Sequence, residues 1–195
     1  MGSAAVTASG HPSRSARLGS TPASGHLGLA PVGAASVSAL VETLYLVRHA
    51  KAGDREAWTE DDRLRPLTKK GRRQAEGLVH LFGELEVAGV VSSSSLRCAQ
   101  TVRPLALARA VGIQFSDDLL EGAPTAATLG LMAASSAGTV LCSHAQVITA
   151  AMSELEAHGT RIHGRRGWKK GSMWVLERSF GRILRARYLP PPELD

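Results

Sequence analysis

After residue 42, the chain alternates short apolar runs with longer segments in which apolar residues recur at helical spacing. Continuous apolar runs of strand length are typical of strands that are buried on both faces of a sheet. The pattern predicts strands at residues 44–47, 89–91, 113–115, 139–142, 173–176 and 183–189. It predicts helices after an N-cap at Thr68 and at residues 96–108, 124–134 and 145–157. Strands that alternate with helices favour a three-layer α/β/α fold with a mostly parallel central sheet.

Residues 1–42 have a different composition from the rest of the chain. They consist largely of Ala, Ser, Gly and Pro, and the first acidic residue of the chain is Glu42. Such a stretch buries too little apolar surface to offset the entropy lost on ordering. We therefore expect residues 1–42 to be a disordered leader of no assigned function, and residues 43–195 to form one domain.

The distribution of charge narrows the partners that this chain is expected to bind. The formal net charge is +6, and the segment Arg161–Arg187 holds nine Lys or Arg residues against Glu177 alone. A basic rim attracts anionic ligands, although an ordinary solvated basic face explains the same pattern equally well. Nucleic acid is a weaker interpretation, because no helix-turn-helix, zinc-finger or aromatic RNA-binding pattern accompanies the charge.

Hydropathy and cysteine content bear on where the chain is expected to work. No apolar run is long enough to cross a bilayer, so a membrane partner is not expected. The two cysteines, Cys98 and Cys142, cannot supply a disulfide framework. Reduced thiols in a cytoplasmic protein are the simpler interpretation.

Polar residues follow two of the predicted central strands at their carboxyl ends. Arg48 and His49 follow the first strand, and His144 follows the strand at 139–142. Ligands bind at the carboxyl ends of the strands in open parallel sheets, so we expect the two histidines to share one pocket. The serine run that precedes Arg97 joins a strand to a helix, and such a junction offers backbone N–H groups and a guanidinium to an anion.

These residues lie in four stretches that resemble, in the same order, motifs of the histidine phosphatase superfamily. The stretches are 46–50 (LVRHA), 65–75 (RPLTKKGRRQA), 92–101 (SSSSLRCAQT) and 141–144 (LCSH). The resemblance implies a phosphoglycerate mutase-like fold and a short, capless phosphohistidine phosphatase. It is closer still to the phosphatase-like domain that some bacterial proteins carry behind a Nudix hydrolase domain.

The resemblance implies a role for each matching residue. His49 would attack phosphorus and form a phosphohistidine that water then hydrolyses. Arg48 and Arg97 would bind the equatorial phosphoryl oxygens, and a protonated His144 would donate to the same oxygens. Glu121, which lies 24 residues after Arg97 and 23 before His144, is the candidate for the general acid. No metal and no cofactor is expected.

Some assignments stay open at the level of the sequence. Asp117 and Asp118 compete with Glu121 for the role of the general acid, and Ser92 and Ser143 are candidates to line the pocket. Ala50 replaces the glycine that is common in the family, which is expected to be harmless.

The spacing of the motifs also limits the substrate. Only 23 positions separate Glu121 from His144, which leaves no room for the long capping insertion of phosphoglycerate mutases. An open site favours a phosphorylated protein or a small phosphorylated molecule, with protein phosphohistidine and nucleotide phosphate as the leading candidates. The alternative is a phosphate- or nucleotide-binding module of the same fold without turnover.

Overall fold

Seven β-strands and four α-helices lie within residues 41–193, the part of the chain that the computed structural model describes. The strands are β1 (Glu42–Arg48), β2 (Gly89–Ser92), β3 (Ile113–Phe115), β4 (Thr139–Ser143), β5 (Arg161–His163), β6 (Met173–Ser179) and β7 (Arg182–Leu189). The helices are α1 (Lys69–Phe82), α2 (Leu96–Ala108), α3 (Thr125–Ala134) and α4 (Ala145–Ala157).

The strands form one sheet in the order β3-β2-β4-β1-β6-β7-β5. The pairs β3–β2, β2–β4, β4–β1 and β7–β5 are parallel, whereas β6 pairs antiparallel with both β1 and β7. The predicted α/β fold with a mostly parallel central sheet is confirmed. The central position of β1 and β4 brings the polar residues at their carboxyl ends to neighbouring points on one edge of the sheet.

Successive side chains of β1 point to opposite faces of the sheet and so belong to different cores. Tyr45 and Val47 pack in a cluster with residues of α1 and α2, among them Phe82 and Leu105. Leu44 and Leu46 pack on the other face, in a cluster with residues of α3 and α4. The sheet is therefore covered on both faces, which explains why the strand lacks a polar side.

The structure departs from the predicted elements at two places. Strand β1 begins at Glu42, whose carboxylate accepts a 2.8 Å hydrogen bond from Nε of the buried Arg178. Strand β5 was not predicted, because its three residues are exposed or half-buried at the sheet edge and carry no apolar run. The predicted leader falls almost entirely on residues 1–40, which lie outside the described residues.

Within residues 41–193, no helix has both the length and the apolar character needed to cross a membrane.

Candidate active site

His49 follows β1 directly, and its ring is 6% exposed. Its Nδ1 lies 2.8 Å from the carbonyl oxygen of Ala50. Because a carbonyl oxygen can only accept, the proton of the neutral ring is on Nδ1 and the lone pair is on Nε2. Burial, together with the nearby His144 and Arg97, lowers the pKa of His49 to about 3. The ring is therefore neutral at physiological pH, with a free nucleophilic nitrogen.

The backbone on either side of His49 is held by the neighbouring elements. The amide of His49 donates to the carbonyl of Ser143 on β4 at 3.0 Å. The amide of Ala50 donates to Oγ1 of Thr101 on α2 at 2.9 Å, and that hydroxyl donates to the carbonyl of Arg97. These contacts connect the end of β1 to both β4 and α2, so the imidazole is attached to rigid elements.

His144 lies at the end of β4, fully buried, and its ring centroid is 5.3 Å from that of His49. Its Nε2 is 3.0 Å from Oγ of Ser93 and 3.6 Å from Sγ of Cys98. Its Nδ1 is 3.3 Å from Nη2 of Arg97. A guanidinium can only donate, so in the neutral ring the lone pair is on Nδ1 and the proton on Nε2.

Arg97 is 1% exposed on the first turn of α2 and meets two carboxylates. Its Nη2 lies 3.0 Å from Oδ2 of Asp62 and 3.4 Å from Oε2 of Glu121, and its Nη1 donates to the Asp62 carbonyl at 2.6 Å. Asp62 also pairs with Arg55 at 3.1 Å and with Arg65 at 2.8 Å. Hydrogen bonds from Arg55 and Arg65 hold the pKa of Asp62 well below its usual range. Asp62 is thus a permanent anion that orients Arg97.

Arg48 occupies the last position of β1, and one of its Nη atoms donates to the carbonyl of Trp168. Burial lowers the pKa of its guanidinium. Within the described residues, the Nε atoms of Arg48 and Arg97 are buried and have no hydrogen-bond partner. Two guanidinium groups therefore keep unused donor capacity beside the two histidines.

Glu121 comes from the loop between β3 and α3 and lies across the site from the strand ends. Its side chain is 29% exposed, and its carboxylate lies 3.6 Å from Nδ1 of His144 and forms an ion pair with Arg55. Glu121, Arg48 and His49 line one open pocket of about 500 Å³, along with Arg65 and others. The structure thus brings together the five site residues predicted from the sequence.

The open alternatives are placed elsewhere. Asp117 accepts from the hydroxyl of Ser94, Asp118 accepts from that of Ser116, and neither is among the described residues that line the pocket. Ser92 and Ser143 are fully buried, and their hydroxyls donate to the carbonyls of Ser93 and Leu119. Both serines therefore satisfy the backbone rather than face a ligand.

Three residues of the site were missed by the sequence analysis: Asp62, Arg55 and Ser93. Asp62 and Arg55 lie in the polar loop after β1, where charged residues are common. The partner of Asp62, Arg97, is 35 positions away in the sequence, so the pair leaves no local pattern. Ser93 lies within a run of four serines, and nothing in that run distinguishes the one that contacts His144.

The basic segment Arg161–Arg187 does not act as one surface. Arg178 is 5% exposed, and it pairs with Glu42 and donates to carbonyls of α3. Lys170, by contrast, lines the pocket that contains His49, Arg48 and Glu121. Cys98 and Cys142 are free, buried thiols, and no group of three or more His, Cys, Asp or Glu side chains in residues 41–193 is arranged to hold a metal.

Comparison with known proteins agrees with this geometry. The family model of the histidine phosphatase superfamily (branch 1) matches residues 44–129, which include Arg48, His49, Arg97 and Glu121. Over residues 44–129, the domain belongs to the histidine phosphatase superfamily. Its fold is that of the phosphoglycerate mutase-like proteins.

Individual matches cover more of the chain than the family model does. The chain is 33% identical over 166 residues to an 8-oxo-(d)GTP phosphatase of Mycolicibacterium smegmatis; the match covers 78% of the chain and 49% of that relative. The chain thus spans about half the length of the curated relative that it matches.

Solved structures named as the phosphohistidine phosphatase SixA are also similar. The one from Nakamurella multipartitia has a TM-score of 0.60 at 28% identity and covers 78% of this chain and 96% of its own. The one from Agrobacterium tumefaciens has a TM-score of 0.61 at 24% identity, and the match covers 77% of this chain and 98% of that structure's chain. The resemblance to a domain that follows a Nudix hydrolase stays a prediction, because no described residue tests it.

Proposed function

We propose that residues 41–193 act as a metal-independent phosphatase in which His49 is the covalent nucleophile. The observation that carries the proposal is the state of the His49 ring. Nδ1 is held by the Ala50 carbonyl, the ring is neutral with a pKa of about 3, and it lines a pocket that contains Arg48 and Glu121. A neutral imidazole with a free Nε2 is the form that can attack phosphorus.

In the first step, the Nε2 lone pair of His49 forms a bond to phosphorus while the bond from phosphorus to the leaving atom breaks. A protonated Glu121 gives its proton to that leaving atom, which departs as an alcohol or an amine. In the second step, water attacks the phosphohistidine and Glu121, now a carboxylate, accepts a proton from it. The bond between Nε2 and phosphorus breaks, so inorganic phosphate and neutral His49 are regenerated.

Three groups would stabilise the charge on the transferred phosphoryl oxygens. Arg48 and Arg97 keep unused guanidinium donors, and His144, when protonated, offers Nδ1–H as a third. Without a ligand, Arg97 lies near Asp62 and Glu121. A bound phosphoryl group would replace Glu121 as its partner, and Asp62 would keep the guanidinium in place.

Protein phosphohistidine and nucleotide phosphate are the proposed substrate classes. The names of the SixA structures favour the first, and the name of the M. smegmatis relative favours the second. The open pocket of about 500 Å³, in which a third of the Glu121 side chain is exposed, accepts a phosphoryl group at the end of a larger molecule.

The test is hydrolysis of an aryl phosphate in the presence of EDTA by the wild-type protein and by His49→Ala. We expect metal-independent turnover that falls by about 10⁴-fold or more in the variant, because removing the nucleophile leaves only binding and electrostatic effects. The exposed His158→Ala variant is the matched control and is expected to keep full activity. Turnover that survives in His49→Ala would contradict the mechanism, and a folded but inactive wild type that binds phosphate would favour the binding module.

A further inference from the structure

A second concave surface, which we call the lysine groove, adjoins the candidate active site. It has a volume of about 470 Å³ and is lined by Lys51, Lys70, Lys169 and Lys170. Lys51 and Lys170 also line the pocket of His49, so the two depressions are continuous. Among the described residues that line the groove, none is acidic.

Three of the chain segments that line the groove are fixed to one another through Gln74 of α1. The Gln74 side chain accepts from the amide of Lys51 at 2.9 Å and donates to the carbonyl of Lys170 at 3.0 Å. Gly71 brings α1 so close to the loop after β1 that a Cβ there would lie 2.0 Å from the Lys51 carbonyl oxygen. The backbones that carry the lysines are therefore held in place.

Within residues 41–193, the lining of the groove offers no carboxylate to pair with its four lysines. Lys70 lies in the first turn of α1, and that turn contains no acidic residue. Basic residues there oppose the helix dipole, whose amino-terminal end is itself positive. Burial and repulsion from Arg48, Arg65 and Lys51 lower the pKa of the Lys170 ammonium. This arrangement costs stability when the groove is empty and favours an anion within it.

We propose that the lysine groove binds a second anionic group of the substrate, so that the preferred substrate carries two or more linked phosphoryl groups. This inference rests on the proposed function. A phosphoanhydride places a second anion one oxygen away from the phosphorus that His49 attacks, which matches a groove continuous with the pocket. The nearest anion of a phosphorylated peptide is many bonds away. The substrate class is thus a nucleoside diphosphate, a nucleoside triphosphate or a similar polyphosphate.

The chemistry of such a substrate is consistent with the site. Nε2 of His49 takes the terminal phosphoryl group, and the bond from its phosphorus to the bridging oxygen breaks. The leaving group is the shortened phosphate chain, whose new terminal oxygen remains over the lysines. Water then releases the phosphoryl group from His49 as inorganic phosphate.

The experiment measures binding of inorganic tripolyphosphate and of orthophosphate to the folded His49→Ala protein by calorimetry, with EDTA present. Because this protein cannot turn over the ligand, the result does not depend on the catalytic step. Lys70→Ala and Lys169→Ala are added together in the same background. The charge-matched control is the pair Lys69→Ala and Arg103→Ala, which are exposed and do not line the groove.

We expect tripolyphosphate to bind about tenfold or more tightly than orthophosphate. Each groove lysine is expected to contribute about two- to fivefold, as for exposed ion pairs, whereas the control pair changes the ratio little. Equal binding of the two anions, or an equal effect of the groove pair and the control pair of substitutions, would overturn the proposal. Lysine-dependent binding of an acidic phosphopeptide but not of tripolyphosphate would also overturn it. If tripolyphosphate binds through the groove lysines but the wild-type protein shows no turnover that depends on His49, the proposed function is rejected and the groove proposal is retained.

Discussion

The carboxyl ends of β1 and β4 each present a buried histidine to the same site, but the two rings are held by opposite nitrogens. At the end of β1, the contact with the Ala50 carbonyl occupies Nδ1 of His49 and leaves Nε2 free. At the end of β4, Ser93 and Cys98 face Nε2 of His144 and leave Nδ1 toward Arg97 and Glu121.

This difference shows how one residue type can serve two roles 5.3 Å apart. A ring whose Nδ1 proton is fixed by a carbonyl has a lone pair available for attack. A ring whose Nε2 faces a serine hydroxyl and whose Nδ1 faces a carboxylate can carry a second proton and donate it to an anion. This contrast supports the proposed roles, with the nucleophile at the β1 end and the oxyanion donor at the β4 end.

The largest further effect is expected from a substitution of Glu121. Its carboxylate lies 3.6 Å from Nδ1 of His144 at the β4 end, and it lines the same pocket as His49 at the β1 end. Glu121→Gln removes the proton donor, so hydrolysis of an alkyl phosphate should slow by about 10²–10⁴-fold. Aryl phosphates, whose leaving group needs less protonation, should lose much less. Steady-state kinetics on the two substrates measure this contrast, and Asp118→Asn serves as the control. Equal losses on both substrates would show that Glu121 is not the acid.

His144→Ala is the next largest change, since it removes one donor to the phosphoryl oxygens. The expected loss is about 10²–10³-fold in kcat, as for other single oxyanion donors. The protein should still form the phosphohistidine, because the nucleophile at the β1 end is intact. Quenched-flow measurement of the labelled intermediate checks this. A complete absence of intermediate would place the nucleophile at the β4 end instead and reverse the comparison.

Ser93→Ala acts only through the β4 ring and should have a smaller effect. Loss of the 3.0 Å contact frees the orientation of His144, and we expect kcat to fall by about tenfold with little change in KM. Ser93→Thr, which keeps the hydroxyl, should restore most of the activity. Ser94→Ala is the control, because the half-buried Ser94 contacts Asp117 rather than His144. A fall in melting temperature that accounts for the whole loss would contradict a positioning role.

The last effect is on stability rather than on turnover, and it concerns the pH dependence of stability at the β1 end. The pKa of His49 is lowered from 6.5 to about 3 in the folded chain. As the pH falls, the unfolded chain therefore binds a proton at this residue at a higher pH than the folded chain does. The stability from this group is complete above about pH 6.5 and is lost as the pH falls toward 3, by at most about 1.4 kcal/mol per pH unit. The free energy of unfolding, measured in urea at pH 7 and pH 4.5, should fall less between these two pH values in His49→Ala than in wild type. Parallel losses would contradict the buried, neutral ring.

Much of the fold could be predicted because its signals are local. Helices α2 and α4 have the predicted bounds, since each follows a strand end and runs without interruption at helical spacing. The strand pattern of β1 and β4 reflects burial on both faces of the sheet. Strand β5 could not be predicted, because its three exposed or half-buried residues lie at an edge and form a strand only through their pairing with β7.

The candidate site was predictable in its main residues but not in its contacts. His49 and His144 follow recognisable strand ends, and Arg97 follows a recognisable serine run. The roles of Asp62 and Ser93 depend on partners 35 and 51 positions away, which leave no pattern in the sequence. The choice of ring nitrogen depends on which atom each ring meets in three dimensions, and sequence carries no signal for it.

Direct identification of the phosphorylated atom tests the account most directly. Wild-type protein is mixed rapidly with a labelled phosphate ester, quenched in base and digested, and the phosphorylated peptide is analysed by mass spectrometry and NMR. The account predicts one phosphohistidine, at His49, with phosphorus bonded to Nε2. A phosphoryl group on Nδ1 of His49, on His144 or on any other residue would contradict it.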